Sequence, residues 1–145
     1  PDLLAEVAVL NHPLEDPASA DYPFVLSAGE RRDYSANTIY RHAGWRRKDP
    51  AGSLRICPDD AARLGIPAGG QARITTEVGS ALATVEITER MQPGHVSLPN
   101  GFGLDNRDGE RSGVAPNELT SLERRDRFAG TPHHKYVPAR VEAVA

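Results

Sequence analysis

Apolar residues along this chain recur mainly at every second position, in short runs separated by turns rich in Gly and Pro. Phe24-Val25-Leu26-Ser27, a brief apolar run after Pro23, predicts a buried strand. Leu54-Arg55-Ile56-Cys57 alternates apolar with polar and predicts a half-buried strand ending at Pro58. From Pro58 the run Asp59-Asp60-Ala61-Ala62-Arg63-Leu64-Gly65 places Pro and two acids in a first turn, then Ala-rich propensity, then a Gly stop. That combination predicts a short helix. Gln71–Val78 and Ala81–Thr88 alternate around Gly79-Ser80, the strongest hairpin signal in the sequence, with Val85 and Ile87 on the inward face. Met91-Gln92-Pro93-Gly94 is a turn into a strand at His95-Val96-Ser97-Leu98, and a loop rich in Gly, Asn and Asp follows to about residue 113. Tyr136–Val144 alternates again and closes the domain as a strand. Residues 11–23 hold three prolines and three acids with no period and read as a linker. Many short strands, one or two short helices and Gly/Pro turns predict a mainly β fold, a small barrel or a sandwich, without repeats or heptads.

With 145 residues, 26% charged and 39% apolar, the chain has the size of one domain and the composition of a folded one. The single Cys57 excludes an intramolecular disulfide and a Cys-based zinc site, and it predicts a reducing, cytoplasmic setting. No apolar stretch approaches the ~20 residues of a membrane span, so no membrane partner is expected. The start Pro1-Asp2-Leu3-Leu4, with neither Met nor a basic segment, predicts a piece of a longer polypeptide. The formal net charge of -3 is unevenly laid out: residues 1–29 have no Lys or Arg, whereas residues 30–49 carry Arg31, Arg32, Arg41, Arg46, Arg47 and Lys48 against Glu30, Asp33 and Asp49. A local basic stretch in an acidic protein suits an anionic small ligand better than a nucleic acid, which needs many phosphate contacts. Taken alone, a solvated surface run is the simpler reading.

Catalytic signatures are lacking. His12, His42, His95, His133 and His134 form no zinc-binding spacing, and His133-His134 reads as an ordinary polar pair. Cys57 reads as a small buried hydrophobe in a strand, with no nearby His or basic cluster to lower its pKa. Asn100-Gly101-Phe102-Gly103 resembles half of a glycine-rich phosphate loop but lacks the third Gly and the following helix, leaving a turn with close backbone approach to something. What remains suits the holding of a ligand. The stretch from Ser27 to Thr38 puts small residues and guanidinium forks at the end of a buried strand, where Arg binds phosphate bidentately and Gly29 admits a ligand to the backbone. Asn117, in Ala115-Pro116-Asn117-Glu118-Leu119-Thr120, offers one acceptor and two donors to a heterocycle, or else caps a short helix.

Several segments, in order, resemble the C-terminal molybdopterin-dinucleotide-binding domain of the molybdenum and tungsten oxidoreductases, which include formate dehydrogenases, nitrate reductases and dimethyl sulfoxide reductase. They are Tyr22-Pro23-Phe24-Val25-Leu26-Ser27 with the Arg/Tyr/Ser stretch after it, Leu54–Ala61 with Leu64-Gly65-Ile66, Val85-Glu86-Ile87-Thr88 with Pro93-Gly94-His95-Val96, Asn117-Glu118-Leu119-Thr120, and Pro132-His133-His134-Lys135 through Arg140-Val141-Glu142. The resemblance spans about residues 21–144 and is carried by the ordered series. It implies a double-psi β-barrel of the aspartate-decarboxylase-like class over 21–145, with 1–20 as a linker or the end of a preceding domain. It implies a cofactor, bis(molybdopterin guanine dinucleotide) with molybdenum or tungsten, shared with preceding domains of the same polypeptide. By residue match it places Ser27, Gly29, Glu30, Arg31, Arg32, Tyr34 and Ser35 beside that cofactor, and Asn117 and Lys135 near the pterin, with one of Arg31 and Arg32 turned inward. The metal's side-chain ligand and any iron–sulfur cysteines belong to other domains in this family, so the resemblance implies a binding domain, inactive in isolation, in which Cys57 is not a metal ligand. The Tyr22-to-Trp45 segment looks most like the formate dehydrogenase and assimilatory nitrate reductase relatives.

A second reading is a stand-alone double-psi barrel used for protein interaction or substrate recognition, since fold does not fix function. The acidic linker and the start without Met favour the first. Base stacking on Tyr34, Tyr40 and Trp45 is the weakest reading, because the rest of the chain is acidic.

Overall fold

The structure, a computed structural model, describes residues 3–9, 16–32, 47, 49–105, 111–126 and 128–144. Its elements are α1 (Leu3–Val9), β1 (Phe24–Glu30), β2 (Leu54–Ile56), α2 (Pro58–Leu64), β3 (Gln71–Thr75), β4 (Ser80–Ile87), β5 (His95–Pro99), a 3-10 helix (Pro116–Leu119) and β6 (Val137–Val144). The strands close into one barrel in the order β1-β5-β2-β4-β3-β6, which decides between barrel and sandwich. Closure leaves no unpaired sheet edge.

The order contains a symmetry. Exchanging the first three strands for the last three maps the barrel onto itself. The parallel pair β1–β5 becomes the parallel pair β4–β2, and the antiparallel pair β1–β6 becomes β4–β3. Each half also carries a helical turn after its second strand, α2 in one and the 3-10 helix in the other. Two interlocked crossovers related in this way make the double-psi β-barrel.

Alternation sorts the strands. Phe24, Leu26, Ala28, Leu54, Ile56, Ala72, Ile74, Ala83, Val85, Val96 and Leu98 meet inside the barrel, each at most 3% exposed. Leu119, fully buried on the 3-10 helix, joins the same core. At this density of burial, each large side chain contributes about 1.5–3 kcal/mol through its apolar surface alone. The loop bearing Leu119 is secured by the buried Thr76, whose hydroxyl donates to the Leu119 carbonyl at 2.9 Å. That use of Thr76 also ends β3 at Thr75, three residues before the alternation in the sequence stops.

Two local expectations are corrected. Cys57 is not a strand residue: it caps α2, accepting a hydrogen bond from the Asp60 backbone N–H at 3.4 Å. β1 runs on to Glu30, past the apolar run, because parallel β5 continues to pair with it. Residues 3–9 form a helix with Leu3, Leu4 and Val7 exposed.

Candidate functional site at the end of strand β1

The pairing of β1 with β5 slips at its end. Ala28 faces Leu98, but Glu30 rather than Gly29 faces Pro99, so Gly29 is the extra residue of a β-bulge, with φ +79°. A bulge re-aims the side chains after it. Here it turns Glu30 out of the core and onto the outer face of the barrel, where the Ser97 hydroxyl donates to Glu30 Oε2 at 2.7 Å. Arg55, whose register partners are Ser97 on β5 and Glu86 on β4, donates to Glu30 Oε1 at 2.9 Å and to Glu86 Oε2 at 3.1 Å. Four neighbouring strands therefore carry Glu30, Ser97, Arg55 and Glu86 in one connected row. Arg32 lies over it with its side chain 5% exposed, whereas Arg31 is exposed.

The bulge also turns out the Gly29 carbonyl, which accepts hydrogen bonds from Asn100 Nδ2 at 3.0 Å and from Lys135 Nζ. A Cβ on Gly29 would lie 3.1 Å from Asn100 Cγ, so glycine is needed both for the positive φ and for the room. Lys135 arrives here because the chain entering β6 runs beside β1, with the Ala28 N–H donating to the His134 carbonyl at 2.8 Å. Burial lowers the Lys135 ammonium from its ordinary pKa; Glu30 opposes this and Arg31 reinforces it. Lys135 thus lies within the fields of both Glu30 and Arg31, beside a buried carbonyl that it and Asn100 cover.

Of the residues singled out from sequence, the structure brings Gly29, Glu30, Arg31, Arg32 and Lys135 together. Ser27 is half-buried one register step back, opposite Ser97. Asn117 is exposed on the 3-10 helix, which packs against β1 and β4. It is the second residue of that helix, whose cap is Ala115, so the capping alternative falls away. Tyr34 and Ser35 lie outside the described residues. Sequence reasoning missed Asp49, Arg55, Glu86 and Ser97; charged residues at outward strand positions were the available signal, but their pairing depends on strand order.

A second polar cluster, around Asp60, is structural. Asp60 accepts from the Gly94 N–H and from Arg63, each at 2.6 Å, and from the Cys57 thiol at 3.3 Å. Burial pushes that thiol up from its ordinary pKa. Among the described residues no group of three His, Cys, Asp or Glu side chains is placed to hold a metal ion, and no helix is long and apolar enough to cross a membrane. Burial raises Asp60, but Arg63, the Gly94 N–H and Cys57 outweigh it and hold the carboxyl below its ordinary 3.8. Glu30 is likewise raised by burial and lowered further by Ser97, Arg32 and Arg55, to below its ordinary 4.5. In both cases the unfolded chain takes up its proton first, so stability is complete above about pH 5 and is lost as pH falls through the carboxylate range. Urea midpoints measured at pH 7, 4.5 and 3 are expected to fall in that order, and to fall less steeply in Asp60→Asn. A flat profile in the wild type would contradict the ion pairing described here.

The sequence matches the family profile described as molydopterin dinucleotide binding domain over residues 24–138. Among curated proteins it is 35% identical over 103 residues to the NADPH-Fe(3+) oxidoreductase subunit alpha of Geobacter sulfurreducens, a match covering 61% of this chain and 12% of that protein. It is 25% identical over 112 residues to a candidate formate dehydrogenase of Staphylococcus aureus, covering 77% of this chain and 11% of the other. The chain therefore spans about an eighth of the length of these relatives. Among solved structures, acetylene hydratase from Pelobacter acetylenicus has the same fold, with a TM-score of 0.73 at 22% identity over 85% of this chain and 18% of that one.

Proposed function

The chain belongs to the molydopterin dinucleotide binding domain family, and from that premise we propose that it holds bis(molybdopterin guanine dinucleotide) at the end of β1, as one domain of a larger molybdenum or tungsten oxidoreductase. In this reading residues 21–145 are the binding barrel, and residues 1–20 lead from a preceding domain of the same polypeptide. The relatives' names differ in reaction, an NADPH-Fe(3+) oxidoreductase and a formate dehydrogenase. What the shared domain contributes is then the holding of the cofactor rather than the choice of substrate.

The observation that carries this reading is Lys135, brought across 106 positions onto the Gly29 carbonyl at the bulge, two residues from the exposed Arg31. Two cations at a strand end, one of them held on the Gly29 carbonyl and the other exposed, match the charge of a pyrophosphate and the carbonyl and ring nitrogens of a pterin. Arg31 would take the phosphates, while Lys135 and Asn117 would take the pterin edge. When bound, the cofactor supplies the redox chemistry through its metal. The chain's own contribution is binding, orientation and charge, and its Cys57, a buried cap, is not a metal ligand.

Lys135→Ala and Asn117→Ala, made in the full-length enzyme, are expected to weaken cofactor retention with the domain still folded. A charge-assisted hydrogen bond contributes about 1.5–3 kcal/mol, so Lys135→Ala should lose retention by roughly 10- to 100-fold. Molybdenum or tungsten content unchanged in both variants would remove these residues from the site.

A further inference from the structure

We propose that Arg32 is a positioning residue for cofactor binding, a three-way tie that fixes the backbone on which Gly29 and Arg31 stand. The inference rests on reading the end of β1 as the cofactor site. Every nitrogen of the Arg32 guanidinium is engaged, and each in a different direction. Nε donates to Glu30 Oε2 at 3.0 Å, Nη1 to Asp49 Oδ2 at 2.6 Å, and Nη2 to the Ser53 carbonyl at 2.7 Å. Asp49 in turn accepts from the Ser53 N–H at 3.0 Å. One side chain thus joins the end of β1 to the residues that lead into β2, closing the 17-position connection between Arg32 and Asp49. Through Glu30 it is also tied to Arg55 and Glu86, and so to β2 and β4.

Arg31 sits between the two anchored residues of this tie. Its backbone is thereby held whether or not a ligand is present, which reduces the ordering cost of binding. Lysine cannot substitute, because one ammonium on a flexible stem does not span three fixed acceptors in a plane. The row also holds three carboxylates, Glu30, Asp49 and Glu86, against two guanidiniums, Arg32 and Arg55. Its excess negative charge lies beside Lys135 and Arg31 and offsets their mutual repulsion.

The test uses the full-length enzyme carrying Arg32→Lys, with Asp49→Asn as a second variant that keeps both Glu30 and Arg32, and with Arg31→Ala and Lys135→Ala in parallel. Two quantities are read: the rate at which molybdenum or tungsten is lost on dialysis, and the difference in thermal midpoint between cofactor-loaded and cofactor-free protein. A ligand stabilises the folded state according to its affinity, so that difference reports binding, whereas a purely architectural defect lowers both midpoints together. Arg32→Lys and Asp49→Asn are expected to raise the loss rate about tenfold and to narrow the difference. Equal drops in both midpoints with an unchanged loss rate would overturn the positioning role. If Arg32→Lys does not accumulate, Asp49→Asn decides alone. Retention unaltered in both Arg31→Ala and Lys135→Ala would instead overturn the cofactor reading of this strand end.

Discussion

Val85→Asp is expected to abolish the fold. Val85 is 2% exposed at the centre of β4, beside Leu54 of β2 in register and within the closed core. The substitution loses the burial of the valine, about 1.5–3 kcal/mol. It also places a carboxylate in a barrel interior that has no cation among the described residues, costing several kcal/mol more even if the group protonates. A loss of roughly 5 kcal/mol or more matches the whole stability of a small domain, about 5–15 kcal/mol. The strand is held at both ends of this residue, with the Val85 N–H donating to Gly70 and its carbonyl accepting from Gly69, each at 2.9 Å, so it cannot rotate to expose the acid. The control is Leu82→Asp on the same strand, where the side chain is 50% exposed on the other face and the effect should be within about 0.5 kcal/mol. Circular dichroism and thermal melts of the two variants give the answer. Native-like melting of Val85→Asp would mean that the inward face of β4 has been assigned wrongly.

That alternation was legible because it is local. So were the β3–β4 hairpin, the short strand β5 and the helix α2 with its Gly65 stop at φ +68°. What the sequence concealed depends on register between distant segments. The bulge at Gly29 takes its place from the pairing of β5 beside β1; between residues 24 and 30 the glycine itself is the one hint of it. The different surroundings of Arg31 and Arg32 follow from the same slip: it brings Glu30 onto the outer face, and Arg32 follows it to Asp49 while Arg31 stays exposed. Lys135 and Gly29 are 106 positions apart, and only the resemblance to a known family put both on one site before the fold was known. Asp49, Arg55, Glu86 and Ser97 escaped notice for a related reason. Each is an unremarkable polar residue on its own segment, and they become a network only once the order β1-β5-β2-β4 sets them side by side.

Gly103→Ala is expected to cost about 3 kcal/mol, and the reason bears on how the glycine-rich loop is understood. Asn100-Gly101-Phe102-Gly103 looks in sequence like half of a phosphate cradle, with its glycines clearing room for a ligand. In the structure the close approach at Gly103 is to the chain's own backbone. Gly103 has φ +76°, its N–H donates to the Ser112 carbonyl at 2.7 Å, and a Cβ there would stand 2.6 Å from Ala115 Cα. An alanine pays about 1–2 kcal/mol for the left-handed conformation. It must also push apart two backbone segments, one of which leads directly into the 3-10 helix carrying Asn117 and the buried Leu119, and no rotamer change relieves that contact. Gly130 separates the two effects, because it has φ +68° and nothing within 4 Å of where a Cβ would stand. Gly130→Ala should therefore lose only about 1 kcal/mol, or ~4 °C in thermal midpoint, against ~12 °C for Gly103→Ala. Equal midpoints for the two variants would show that the contact at Ala115 yields cheaply.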